Sequence, residues 1–289
     1  MVEEHEARVS DGGAHRRLGI RWSDEARRST RLGGRGLLLL LVGLLPGDVR
    51  GQSTSHPVLE VPLHHHEGRL WVPVRNGDGT ELRFLLSTGT PFTVLSESGA
   101  ERVTGTLTLG GLDQAAVTLT DAQTMDDTSL TWRGERFDGM VAPNTLNAFD
   151  LLLDGPGERL LLRPVGPPVS WEGYELSGPV RLQVYHGVVL ALQVAMGGTS
   201  YPAMLELGTP VLLGNPAVGE AGAIDDGRAP SLELGGATWT DLPAEIEDHP
   251  SIRRFSPNGD PFVIVGGLIA VDCPVSISWV RAELRTCVR

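Results

Sequence analysis

Two side chains capable of chemistry stand at equivalent points of this 289-residue sequence: Ser87 and Glu206. Each closes an apolar run and precedes a turn. Leu85-Leu86-Ser87-Thr88-Gly89-Thr90-Pro91 leads into Thr93-Val94-Leu95, and 119 positions later Met204-Leu205-Glu206-Leu207-Gly208-Thr209-Pro210 leads into Val211-Leu212-Leu213. A serine hydroxyl neither ionises near neutral pH nor serves as a general base, whereas a carboxylate can take up a proton. The one hydrolytic pairing open to them is a Ser87 nucleophile activated by Glu206. No histidine or lysine stands beside either turn to complete such a site; all 24 basic residues are arginine.

The other chemistry-bearing residues point elsewhere. His64-His65-His66 could offer imidazoles to a metal, but consecutive strand residues face opposite sides, so two at most could share an ion. The second copy of the repeat supplies no matching ligand, and neither a metal nor a cofactor is expected. Asp126-Asp127 are expected to be solvated turn formers, since calcium needs more oxygen ligands than they provide. Cys273 and Cys287 flank a hairpin centred on Val280, which sets 278 opposite 282 and 273 opposite 287. That is within reach of a disulfide.

What must position Ser87 and Glu206 is a repeated unit. Val61-Pro62-Leu63 matches Val180-Arg181-Leu182, Gly68 matches Gly187, Leu107 to Gly111 matches Leu232 to Gly236, and Met140-Val141-Ala142 matches Ile264-Val265-Gly266. Two units of about 110 residues each are expected, 58–168 and 170–289. Each is built of short strands and tight turns, in keeping with 37 glycines and 20 prolines. In the first unit, Val58 to Leu63 and Leu70 to Val74 are predicted to form a hairpin, and Asp150 to Leu153 with Arg159 to Leu162 a second. Residues 163–168 are predicted to be a stiff linker.

Residues 1–51 are set apart as a secretory signal peptide. Arg27, Arg28, Arg31 and Arg35 precede an apolar core over 37–45, and Val49 and Gly51 supply small residues before Gln52. The lead-in is long for such a signal, and the apolar core is too short to span a bilayer. Without this segment the chain keeps 15 Arg against 29 Asp and Glu. Such acidity argues against nucleic acid or an anionic membrane surface as partner, with membrane contact through the signal peptide only and a periplasmic or extracellular destination.

The residues quoted above resemble the aspartic proteases, in particular bacterial chains with two retropepsin-like units in tandem. The apolar strand, the turn and the following Thr-Val-Leu strand fill that family's first pattern, and Met140-Val141-Ala142 and Ile264-Val265-Gly266 its second. The resemblance implies an all-β, two-lobed fold, one loop from each lobe meeting at the floor of an inter-lobe cleft, and a monomer. It places Ser87 and Glu206 at the positions of the two catalytic aspartates, with Thr88, Gly89, Thr90, Gly208 and Thr209 supporting the loops. Thr90 and Thr209 are expected to tie the loops together. Leu207 and Ala142 depart from the family pattern, and the segment after Ser96 is short for a covering hairpin. The family's chemistry needs two carboxylates sharing a proton, and here only Glu206 remains. The sequence is therefore read as an inactive relative that keeps a peptide- or protein-binding cleft. The alternatives are a peptidase working through Glu206 and a purely structural module of the envelope.

Overall fold

The computed structural model describes residues 58–110, 117–119, 122–132, 134–167 and 170–288; the expected signal peptide, residues 1–51, lies outside them. The fold is all-β and two-lobed. Each lobe is built on one large sheet, the first with an added two-stranded ribbon of Thr131–Trp132 and Glu135–Arg136, and a six-stranded sheet is shared between the lobes.

The first lobe's sheet centres on Arg69–Arg75, Glu81–Leu86 and Gly139–Val141. Arg69–Arg75 alternates buried and partly exposed positions along its length, as a strand with one face on a core must. It pairs antiparallel with Glu81–Leu86, which in turn pairs parallel with Gly139–Val141. The second lobe repeats the arrangement: Val189–Met196 pairs antiparallel with Thr199–Glu206, which pairs parallel with Val263–Gly266. The parallel step between non-consecutive strands requires a long excursion of chain in each lobe. The excursions begin at the two turns after Ser87 and Glu206.

In the shared sheet Leu59–Pro62, Arg159–Pro164 and Phe149–Asp154 come from the first lobe, and Val275–Ser278, Glu283–Thr286 and Val180–Arg181 from the second. The order is symmetric about the contact between Phe149–Asp154 and Val275–Ser278. Both strands are covered on both faces: Leu151-Leu152-Leu153 reads as an unbroken apolar run, whereas in Val275–Ser278 the serines alternate with Val275 and Ile277 and are buried with them. One apolar cluster runs from Leu63 and Leu86 through Leu151 and Ile277 to Leu205 and Leu207, joining the lobes. Inside, Trp171 Nε1 donates to Ser276 Oγ at 2.9 Å, and Arg281 and Arg163 approach the buried Asp150 carboxylate at 2.8 and 3.7 Å.

Three sequence expectations need correction. Leu59–Pro62 does not form a hairpin with Arg69–Arg75. It pairs with Arg159–Pro164 in the shared sheet, and His64–His66 takes its place against Arg69–Arg75. The chain changes sheets at Leu63, whose N–H donates to the Glu158 carbonyl at 2.9 Å and whose side chain enters the core. The linker is shorter than 163–168, because Arg163 and Pro164 complete a strand that Asp150 and Phe149 hold by pairing. Finally, the C-terminal hairpin pairs Ser278 with Glu283 and Val275 with Thr286, one residue out of the expected register. The turn spans four residues, Trp279 to Ala282, with Ala282 in the left-handed region at φ 50°.

Cys273 and Cys287 are nevertheless disulfide-bonded, with Cα atoms 5.5 Å apart. Pro274, without an N–H, ends the ladder before Cys273 and lets that residue leave the register. Asp126 accepts from the Thr128 N–H at 2.7 Å and caps the short helix Asp127–Leu130, which is the turn-forming role expected of it. Among the described residues no group of three or more His, Cys, Asp or Glu is placed to hold a metal ion, and His64 stacks on Trp71 at 4.2 Å. No helix among them is long and apolar enough to cross a membrane.

The disulfide closes a loop with a sequence separation of 14, for which chain entropy sets a stabilisation of about 3 kcal/mol. The Cys273→Ser, Cys287→Ser double variant is expected to fold and to lose about that much in a denaturant titration. Two titratable thiols in the unreduced, denatured protein would contradict the bond itself.

Candidate functional site where the two lobes meet

Glu81–Leu86 stops at Ser87, whose N–H donates to the Val141 carbonyl at 2.9 Å and so extends the parallel ladder by one bond. The chain then turns sharply, and the Thr90 N–H folds back to donate to Ser87 Oγ at 3.0 Å. In the second lobe Thr199–Glu206 stops in the same way, and the Thr209 N–H donates to the Glu206 carbonyl at 3.0 Å. The two turns touch. Ser87 Oγ donates to Glu206 Oε2 at 3.1 Å, and the Gly208 N–H donates to Glu206 Oε1 at 2.8 Å.

Both turns depend on glycine for this approach. A Cβ on Gly89 would stand 2.2 Å from Glu206 Oε2, and one on Gly266, in the strand beside Glu206, 2.4 Å from the Thr209 carbonyl oxygen. Ala142, which occupies the first lobe's counterpart of Gly266, is fully buried and donates its N–H to Thr93 Oγ1 at 3.3 Å. The first turn therefore sits far enough away to admit a methyl group.

Thr88 ties the lobes together, and the expected pair of Thr90 and Thr209 does not. Thr88 Oγ1 donates to the Leu205 carbonyl at 2.6 Å and accepts from the Leu207 N–H at 3.2 Å, both across the lobe boundary. Thr90 and Thr209 make the local turn bonds already given, and the Thr209 carbonyl accepts from the Gly267 N–H at 2.9 Å. The reason is directional. Ser87 and Glu206 turn toward each other, so the next residue in each chain, Thr88 or Leu207, is aimed at the opposite backbone. Leu207 has no hydroxyl to return the bond and is buried in the shared apolar cluster instead.

Burial pushes the Glu206 carboxyl above its usual range, and hydrogen bonding from the Gly208 amide, the Ser87 hydroxyl and the Gly89 and Thr88 backbone works against that shift. Arg69 of the first lobe, which sequence reasoning missed, is a charged group that attracts it. Burial lowers the affinity of the Arg69 guanidinium for its proton, and attraction to Glu206 partly restores it. Its place in the repeat gave one signal: Arg69 follows Gly68 as the apolar Val188 follows Gly187. Gly68 sits at φ 85° with its Cα against Pro210 of the second lobe, where a Cβ would lie 2.2 Å from the Pro210 oxygen.

The arrangement restricts the chemistry available. Ser87 is 0 % exposed, and its hydroxyl is spent between Glu206 and the Thr90 amide. It cannot present Oγ to a substrate as a nucleophile must. One carboxylate beside a serine and an arginine has no second carboxyl with which to share a proton.

No protein-family model matches this chain, and no curated protein sequence does. Among solved structures it is similar to the soybean basic 7S globulin, with a TM-score of 0.54 over 81 % of this chain and 95 % of the globulin, at 10 % sequence identity. At that identity the likeness extends to the fold alone, the two-lobed, aspartic-protease-like β architecture.

Two measurements follow. Thr88→Val strips a buried carbonyl and a buried N–H of their partner and is expected to cost about 2 kcal/mol or more, whereas Thr90→Val should change stability by less than about 0.5 kcal/mol; equal losses in a denaturant titration would contradict the assignment. Glu206 has a folded-state pKa above its unfolded value, so the folded protein holds the extra proton between the two. Stability on this account is greatest below the ordinary value of 4.5 and falls as pH rises through the raised value. Glu206→Gln is expected to remove that fall and to be the more stable form at neutral pH, as read from melting temperatures across pH 4 to 8.

Proposed function

We propose that this chain is an exported, catalytically inactive aspartic-protease-like protein, built from two retropepsin-like units, that acts as a monomer by holding a peptide or protein ligand between its lobes. The observation that carries the reading is the Ser87 to Glu206 hydrogen bond. The positions that would have to share a proton in a peptidase instead form one donor and one acceptor between the two turns. Loss of the proton-sharing pair removes the hydrolytic step without removing the two-lobed architecture around it. Thr88, Gly89, Thr90, Gly208 and Thr209 act in this reading as supports of the junction. The Cys273 to Cys287 disulfide favours an oxidising compartment, and the chain's acidity disfavours nucleic acid as the ligand.

A peptidase working through Glu206 is the competing reading. It would need a partner group for the carboxylate, and the groups in place are the buried Ser87 hydroxyl and the Arg69 guanidinium, neither of which is a base. A module that is structural only would share every feature of the junction and differ in binding nothing.

The deciding experiment is a digest of a broad peptide library from pH 3 to 7 by the wild type, Ser87→Asp and Glu206→Gln, run beside a pull-down with the same library. The expected result is no cleavage by the wild type and retention of a defined subset of peptides. Pepstatin-sensitive cleavage that disappears in Glu206→Gln would establish the peptidase, and neither cleavage nor retention would establish the structural module.

A further inference from the structure

The second lobe carries a groove of about 570 Å³ to which neither Ser87 nor Glu206 contributes. Its floor is a face of three neighbouring strands, Gln183–Tyr185, Val189–Met196 and Thr199–Glu206. On this face the small side chains of Ala191 and Pro202, beside Gln183 and Gln193, leave a shallow floor. Its wall is the chain from Arg254 to Phe262. That wall is fixed without a ligand, because Ser256 Oγ and Asn215 Nδ2 both donate to the Asp260 carbonyl, at 2.6 and 2.7 Å. Phe255 stacks on Phe262 and meets the edge of Tyr185, each at 5.8 Å between ring centres, forming an aromatic flank.

Charge gives the groove its selectivity. Residues 170–289 contain 7 Arg against 14 Asp and Glu, yet the groove is lined by Arg181, Arg254 and His186 against one carboxylate, Asp260. Arg254 is exposed and has no partner among the described residues. Arg181 has only a long contact of 3.9 Å to Glu283, with its side chain 80 % exposed. Exposed cations beside an aromatic-flanked hollow, on an otherwise acidic lobe, complement a ligand with the opposite charge. The volume lies within the span of small-molecule sites, roughly 300 to 1,000 Å³.

We propose that this groove binds a small organic anion with an aromatic or acyl body. The anionic group would sit between Arg254 and Arg181, and the body would lie on the Ala191 and Pro202 floor against Phe255. The inference does not depend on the reading of the lobe junction.

The test is a fluorescence titration of the full-length protein with 8-anilinonaphthalene-1-sulfonate, beside its neutral analogue N-phenyl-1-naphthylamine. The expected result is one saturable site for the sulfonate, weaker binding of the neutral analogue, and a loss of about tenfold or more in sulfonate affinity in Arg254→Glu. Arg254→Lys should restore most of the affinity. Arg228→Glu, an equal change in net charge at a hairpin pair with Asp241, should leave it unchanged. Arg254→Gln gives the same reading should Arg254→Glu fail to fold. Absence of saturable binding, equal affinity for the neutral analogue, or equal weakening by Arg254→Glu and Arg228→Glu would overturn the proposal.

Discussion

The structure depends on two turns that meet where neither has a sheet to complete it. A strand that ends inside a protein leaves backbone groups that must find partners, because an unpaired buried amide or carbonyl costs on the order of 1 to 3 kcal/mol. At the lobe junction the partners are side chains, some from across the boundary and some from the same turn. Thr88 takes the Leu205 carbonyl and the Leu207 N–H, and Glu206 takes the Gly208 N–H and the Ser87 hydroxyl. Both lobes must be in place for either turn to be satisfied. The shared sheet, with its symmetric strand order about Phe149–Asp154 and Val275–Ser278, holds them there.

That symmetry is broken where the two turns touch. Gly68 has its Cα against the Pro210 loop, whereas a Cβ on its counterpart Gly187 would meet nothing within 4 Å. Thr88 reaches across with a hydroxyl, and its counterpart Leu207 is buried among apolar side chains. The junction has a hydroxyl reaching across from one turn and a hydrophobic contact from the other. A leucine there is stable because the shared core runs directly beneath the turns, and burying its side chain is worth about 1.5 to 3 kcal/mol.

Much of this was legible in the sequence because two stretches read alike. Reading Ser87 and Glu206 as equivalent positions brought them together without knowledge of any strand pairing, and the structure sets them 3.1 Å apart. The periodic patterns of Arg69–Arg75 and Phe149–Asp154 were readable for a local reason, the alternation or continuity of apolar residues. The partner of a strand is not a local property. Leu59–Pro62 has the pattern of a hairpin arm, yet it pairs with a strand about 100 residues further on, because Leu63 is drawn into the core and turns the chain to another sheet. The one-residue error in the C-terminal register has a similar origin: the sequence marks the turn, and the left-handed Ala282 decides how many residues it takes. The choice of Thr88 over Thr90 and Thr209 was hidden because it follows from the direction in which a side chain leaves a turn, which spacing does not encode.

Glu206 is best understood through the extra methylene that separates it from an aspartate. The longer side chain lets one carboxylate oxygen fold back onto the Gly208 amide of its own turn while the other accepts from Ser87 in the opposite lobe. The geometry satisfies the ionised form. A protonated Glu206 would hold its hydrogen toward Ser87 Oγ, which already accepts from the Thr90 N–H and would have to turn its own hydrogen elsewhere. Burial favours the neutral form, the hydrogen bonds favour the charged one, and Arg69 adds attraction on the charged side. A catalytic pair resolves the same conflict by giving one carboxylate the proton the other has lost. With serine at the first position that exchange has no second member. Fixed donors lessen the burial cost of the remaining charge without cancelling it, so the carboxyl holds its proton above the usual range and the junction is most stable with that proton in place.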